Sequence, residues 1–144
     1  MKKSLLLALV SLCVTAVLVF VNGRVSPPSY EYDVDLSHMS STMVWAKVFD
    51  MMTNPEKYDG ASVKIHGTFE VYEDESFPNG RIFSCMVQDS TACCQQGFEF
   101  VLAGNSVYPD DYPPRLSKIT VSGTFRQFMQ DGEPYTAILD ARFH

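Results

Sequence analysis

Three thiols are the residues of this chain best suited to chemistry: Cys85, Cys93 and Cys94. Cys93 and Cys94 are adjacent, and Cys85 precedes them by eight residues. All three flank the point where one predicted strand turns into the next. Thiols at this spacing suit a disulfide, a metal site or a redox pair. In an oxidising compartment the pairings are Cys85–Cys93, Cys85–Cys94 or Cys93–Cys94, each leaving one thiol over. A bridge from Cys85 into the turn closes a loop of about ten residues and stabilises by roughly 2–3 kcal/mol on the chain-entropy model. A Cys93–Cys94 bridge needs a strained eight-membered ring and is more reducible. A metal needs three or four ligands arranged tetrahedrally. The thiolates supply three, with His66 as the natural fourth and Asp89 as an oxygen fallback. Strand parity works against His66, which falls on the face opposite Val63 and Ile65, and no paired C-x-x-C spacing marks a zinc site. A redox role needs an exposed thiolate of low pKa. The structural disulfide, with no cofactor, is the leading expectation; zinc or copper held by Cys85, Cys93, Cys94, His66 and Asp89 is the alternative.

The elements that must position these residues are mostly strands. Residues 42–53 read as the one helix, with Ser40 or Ser41 at its start. Val44, Trp45, Val48, Phe49 and Met52 form its apolar stripe. Asn54-Pro55 ends it, and Tyr58-Asp59-Gly60 makes a turn. Alternating patterns then predict five strands, at 62–72, 82–88, 97–103, 118–129 and 135–143. Cys85 shares its inward face with Phe83 and Val87. Residues 105–114 contain three prolines and read as a loop. Gln130–Glu133 reads as a hairpin turn. Ile65-His-Gly-Thr-Phe69 is echoed by Val121-Ser-Gly-Thr-Phe125. A glycine inside each strand permits the sharp corner that a small barrel needs. The expected fold is therefore all-β, a five-stranded OB-like barrel preceded by one amphipathic helix.

Loops carry the remaining candidates. Tyr72, Phe77, Tyr108, Tyr112 and Phe128 lie near strand ends and suit a ligand surface of the kind OB-folds present. Glu73-Asp-Glu75 and Asp110-Asp111 lack a calcium-loop pattern and read as solvated. No G-x-S-x-G, H-E-x-x-H or phosphate loop occurs, so no enzyme is expected. The formal net charge of −6 argues against nucleic acid, which is bound mainly through Lys and Arg on phosphates. The aromatics fit a protein, peptide or glycan better.

Lys2 and Lys3 precede an apolar run from Ser4 to Val21. Val21-Asn22-Gly23 fits a signal-peptidase site, with residues 1–23 as signal peptide. The run also approaches the roughly 20 residues that span a bilayer, so an uncleaved signal-anchor is the alternative. Both readings place residues 24–144 outside the cytoplasm. Cys13 follows Leu12, which is too large for a usual lipobox. Residues 24–41, polar with a Pro-Pro pair, read as a tether, and 42–144 as the domain.

Residues 55–143 resemble a group of bacterial extracytoplasmic OB-fold domains of largely unknown function. The matching pieces are Pro55-Glu-Lys-Tyr58-Asp-Gly60, Val63-Lys-Ile-His-Gly-Thr-Phe69, Val87-Gln-Asp89, Ala92-Cys93-Cys94 and Gly97-Phe-Glu-Phe100. They continue with Tyr108-Pro-Asp-Asp-Tyr-Pro113, Val121-Ser-Gly-Thr-Phe125 and Asp131-Gly132. The Ala-Cys-Cys segment is similar to one in the OB-like region of membrane proteins associated with zinc permeases. The resemblance implies a non-catalytic envelope binding or accessory module. An envelope protein or transporter is its implied partner.

Overall fold

Hydrophobic alternation, interrupted by glycine at positions 67, 97 and 123, explains how the strands are arranged. The computed structural model describes residues 31–75, 77, 80–130 and 132–144. The expected signal segment, Cys13, the start of the tether and Asp131 of the last hairpin lie outside the described residues. Among the described residues no helix is long and apolar enough to cross a membrane.

The protein is mostly β. Among the described residues six strands, one α-helix and a short 3-10 helix (Pro55–Lys57) run in the order β1 (Val34–Asp35), α1 (Ser41–Thr53), the 3-10 helix, β2 (Ser62–Glu73), β3 (Arg81–Gln88), β4 (Gln95–Leu102), β5 (Lys118–Gln130) and β6 (Glu133–Phe143). The count corrects the expectation of five. β1 lies in the supposed tether and was too short to leave a pattern. Side chain and backbone of Ser62 both donate to the Asp33 carboxylate, at 2.7 and 2.8 Å, which pins β1 parallel to β2.

β2 is shared between two antiparallel partners. Ser62–Thr68 pairs antiparallel with β5, and Thr68–Glu73 with β3. β1 covers the edge of β2 that β3 leaves open, at Val63 and Lys64. β3 continues antiparallel to β4, β4 runs parallel to β6, and β6 is antiparallel to β5. The ladder therefore runs β2–β3–β4–β6–β5 and returns to β2.

The two echoed glycines sit where strands change partner. A Cβ on Gly67 would lie 2.5 Å from Met86 O and 2.8 Å from Cys85 Sγ. A Cβ on Gly123 would lie 2.6 Å from both Ile138 Cγ2 and Leu139 O, beside a bulge between Ser122 and Thr124. Their role is close approach of neighbouring strands, which any side chain would block.

The inward faces form one core. Val63, Ile65, Phe69, Cys85, Phe98, Phe100, Val121, Phe125 and Ile138 are all buried. α1 packs on β3 and β4 through Val44, Val48 and Met51. This corrects the phase of the expected stripe: Phe49 and Met52 are exposed, and Phe49 stacks on half-buried Trp45 instead. The spacing of Val44, Val48 and Met51 is the truer helical face, at i, i+4 and i+7. Ser40 precedes the helix but makes no side-chain cap bond.

Candidate functional site

The five loop aromatics predicted to form a ligand surface are drawn together, around two adjoining depressions. Phe77, Tyr112 and Phe128 line a cleft of about 430 Å³. Tyr72 and Tyr108 line a shallower groove beside it, with Arg81 and Arg115. Arg81 borders both depressions and lies over the Tyr108 ring, 5.3 Å from its centre.

Two aromatic groups line the cleft. One comes from the hairpin ends: Tyr135 of β6 contacts Phe77 of the β2–β3 loop at 5.9 Å and Phe128 of β5 at 5.3 Å between ring centres. The other rises from the core: Phe83 of β3 stacks on Tyr112 of the β4–β5 loop at 4.2 Å, next to Phe100 of β4. The loop from Asn105 to Pro114 is thus packed onto the domain by its tyrosines.

Polar groups in this cleft lack ordinary partners. Glu99 of β4 makes no side-chain hydrogen bond among the described residues. Burial, aided by the nearby charge of Asp74, pushes its carboxyl up to about 7. The Tyr135 hydroxyl is buried and has no hydrogen-bond partner among the described residues. Burial, with Asp111 adding to it, raises the Tyr112 phenol, which keeps its proton. Glu99 and Tyr135 were not singled out in the sequence. The signal for Glu99 was there: it is the one charge inside the apolar run Phe98–Leu102.

The thiols divide into two environments. Cys85 is buried between Phe69 of β2 and Phe98 of β4, its cross-strand neighbours. Burial pushes its thiol up to about 12, so it stays protonated. Cys93 and Cys94 are exposed on the β3–β4 turn, and all three thiols are free. The expected bridge from Cys85 into the turn therefore has no counterpart here. Inward parity and a core position hold Cys85 away from the other two. No bond joins Cys93 to Cys94 either; their sulfurs stand 3.5 Å apart.

Of the expected metal ligands, Asp89, Cys93 and Cys94 come together, with ligand atoms all within 4.8 Å of one another. Cys85 and His66 are not in that group. His66 points outward, as parity required, and its Nδ1 lies 2.9 Å from Thr120 Oγ1. It shares a groove with Asp89 beneath the start of α1 but stays outside ligand distance of the sulfurs. Desolvation opposes ionisation of Asp89, yet hydrogen bonds from Thr91, Cys93 and Cys94 outweigh it and hold the carboxyl below its ordinary value. Cys93, through its hydrogen bond and its charge, pushes the Cys94 thiol up.

No family model, curated protein or solved structure matches the chain.

Proposed function

We propose that this protein is a non-catalytic binding module of OB-like architecture, which takes its ligand in the aromatic cleft. The ladder circuit supports the architecture. Five strands joined as β2–β3–β4–β6–β5–β2, with one parallel contact between β4 and β6, follow the circuit expected of a small Greek-key barrel. In such barrels the second and third strands, with the loops joining strands one to two and four to five, form the ligand face. The cleft draws residues from the matching places: β3, β4, the β2–β3 loop and the β5–β6 hairpin.

The observation that carries the reading is the pairing of unused polar groups with aromatic faces in one concave site. An aromatic cleft with a few convergent polar groups is the usual form of a binding pocket. A buried hydroxyl without a partner is costly, by about 1–3 kcal/mol, unless a ligand or water satisfies it. Glu99 lines the cleft with the charge of Asp74 nearby, and Arg81 at its border lies over the Tyr108 ring, which favours a neutral or cationic peptide or glycan segment over phosphate groups. Its apolar face packs on the rings and its donors meet Glu99, while reaching the buried Tyr135 oxygen requires that ring to turn. The same reading places residues 24–144 outside the cytoplasm, behind the N-terminal apolar segment. There they serve an envelope protein or transporter.

The test is a binding screen with the full chain against neutral and basic hexapeptides, oligosaccharides and oligothymidylate. Phe128→Ala and Tyr135→Ala should each weaken the best peptide or oligosaccharide about tenfold, as for loss of a stacking contact of roughly 1–3 kcal/mol. Preference for oligothymidylate, or affinity indifferent to both variants, would refute the reading.

A further inference from the structure

We infer that Asp89, Cys93 and Cys94, on the turn between β3 and β4, form a binding site for one Zn²⁺ ion, separate from the aromatic cleft. Two of the three separations within the group already match those a zinc ion imposes, and the third, from Asp89 to Cys94, lies within 4.8 Å. With bonds of about 2.3 Å to sulfur and 2.0 Å to oxygen, a tetrahedral site sets its sulfurs about 3.7 Å apart and sulfur and oxygen about 3.5 Å apart. The Cys93 and Cys94 sulfurs stand 3.5 Å apart, and Cys93 Sγ lies 3.4 Å from Asp89 Oδ2.

The carboxylate is held so that one oxygen faces the sulfurs. Asp89 Oδ1 accepts hydrogen bonds from the backbone N–H of Cys93 at 3.1 Å and of Thr91 at 3.2 Å. That leaves Oδ2 turned towards Cys93. Thr91 Oγ1 stands 2.9 Å from Oδ2 and 3.1 Å from Cys93 Sγ, where its single O–H donates to one or other ligand atom. Outer groups of this kind orient metal ligands and raise affinity. The Asp89 N–H donates to Cys94 O at 3.1 Å, so the two ends of the ligand set are tied across the turn.

The donor set selects the ion. Two sulfurs and a carboxylate oxygen are too soft for Mg²⁺ or Ca²⁺, which take oxygen ligands. Neighbouring thiolates on one side of an ion, with an oxygen beside them, suit tetrahedral Zn²⁺ better than two-coordinate Cu⁺. Cys93 and Cys94 are exposed, so the fourth position opens to solvent and is filled by water or by a donor from outside the chain.

The experiment is a Co²⁺ titration of the reduced, metal-stripped full chain, followed by Zn²⁺ competition. A sulfur-to-cobalt charge-transfer band with tetrahedral d–d absorption should saturate at one equivalent and be displaced by Zn²⁺. Cys93→Ser and Cys94→Ser should each weaken Zn²⁺ by more than about 100-fold, and Asp89→Asn by about tenfold or more. His66→Ala should leave the affinity unchanged. All four positions are on exposed or loop surfaces, so the variants keep the core intact. The proposal is overturned by the absence of a thiolate band, by Asp89→Asn binding like the parent protein, by dependence on His66, or by binding of Cu⁺ without Zn²⁺.

Discussion

Glu99 sits in an environment that a charged carboxylate does not prefer. A carboxyl at the rim of an apolar core is destabilised when charged, which lifts it from 4.5 to about 7. The folded state therefore binds a proton that the unfolded chain releases between those values. Stability is highest below about pH 4.5 in respect of this group and is lost as pH rises through about 7. Solvent in the open cleft screens the effect, so the loss is on the order of 1 kcal/mol. Glu99→Gln should remove this part of the pH dependence in thermal melts taken from pH 4.5 to 8; an unchanged profile would assign the slope to other groups. Cys85 makes the opposite case, a group kept neutral throughout. Iodoacetamide followed by peptide mass mapping should label Cys93 and Cys94 in the folded, reduced protein and spare Cys85 until denaturant is added. Equal labelling would contradict the buried placement. The inward turn of Cys85 and the outward turn of His66 were both legible in strand parity. The unpartnered Tyr135 hydroxyl was not, because nothing local to residue 135 tells which loop will close over it.

At the scale of elements, position and type were readable to within a residue or two. The strand at 118–129 appears as Lys118–Gln130, and that at 62–72 as Ser62–Glu73. Alternation over eight or more residues leaves little freedom in assigning a strand. β1 escaped because two residues carry no period; it exists through hydrogen bonds to Ser62, a contact made across 29 positions. The phase of α1 was misread because Phe49 and Met52 are as apolar as the residues that face the sheet. Apolar character does not separate burial from exposure at the edge of a stripe. The repeated Gly-Thr-Phe reads as a corner; β2 changes partner beside Gly67 and β5 bulges at Gly123, and what requires glycine at both is crowding. Gly67→Ala and Gly123→Ala should each lower stability by about 2 kcal/mol or more, since the neighbours are backbone and buried side chains that cannot give way. Urea denaturation would measure this. A loss under about 0.5 kcal/mol at both positions would show that the strands have room to part.

At the scale of the whole molecule, one compact unit spans Tyr32–His144. Its ladder circuit gathers residues 77 to 137, far apart in the chain, around one cleft. That gathering is what the sequence could only suggest: the aromatics were recognisable as surface candidates, but their grouping depends on β4 running beside β6. The metal group is the reverse. Asp89, Cys93 and Cys94 lie within six consecutive positions of one turn, so their proximity was close to written in the spacing. The two sites are separate in position and chemistry, and loss of one leaves the account of the other standing. The central claim, that the cleft is a binding site for a neutral or cationic peptide or glycan segment, is tested most directly by amide NMR. Backbone amide spectra of the full chain would be recorded during titration with the tightest hexapeptide or oligosaccharide. The account predicts that shifts concentrate at Arg81–Phe83, Glu99–Leu102 and Phe128–Ala137. Shifts confined to α1, or spread evenly over the surface, would contradict it.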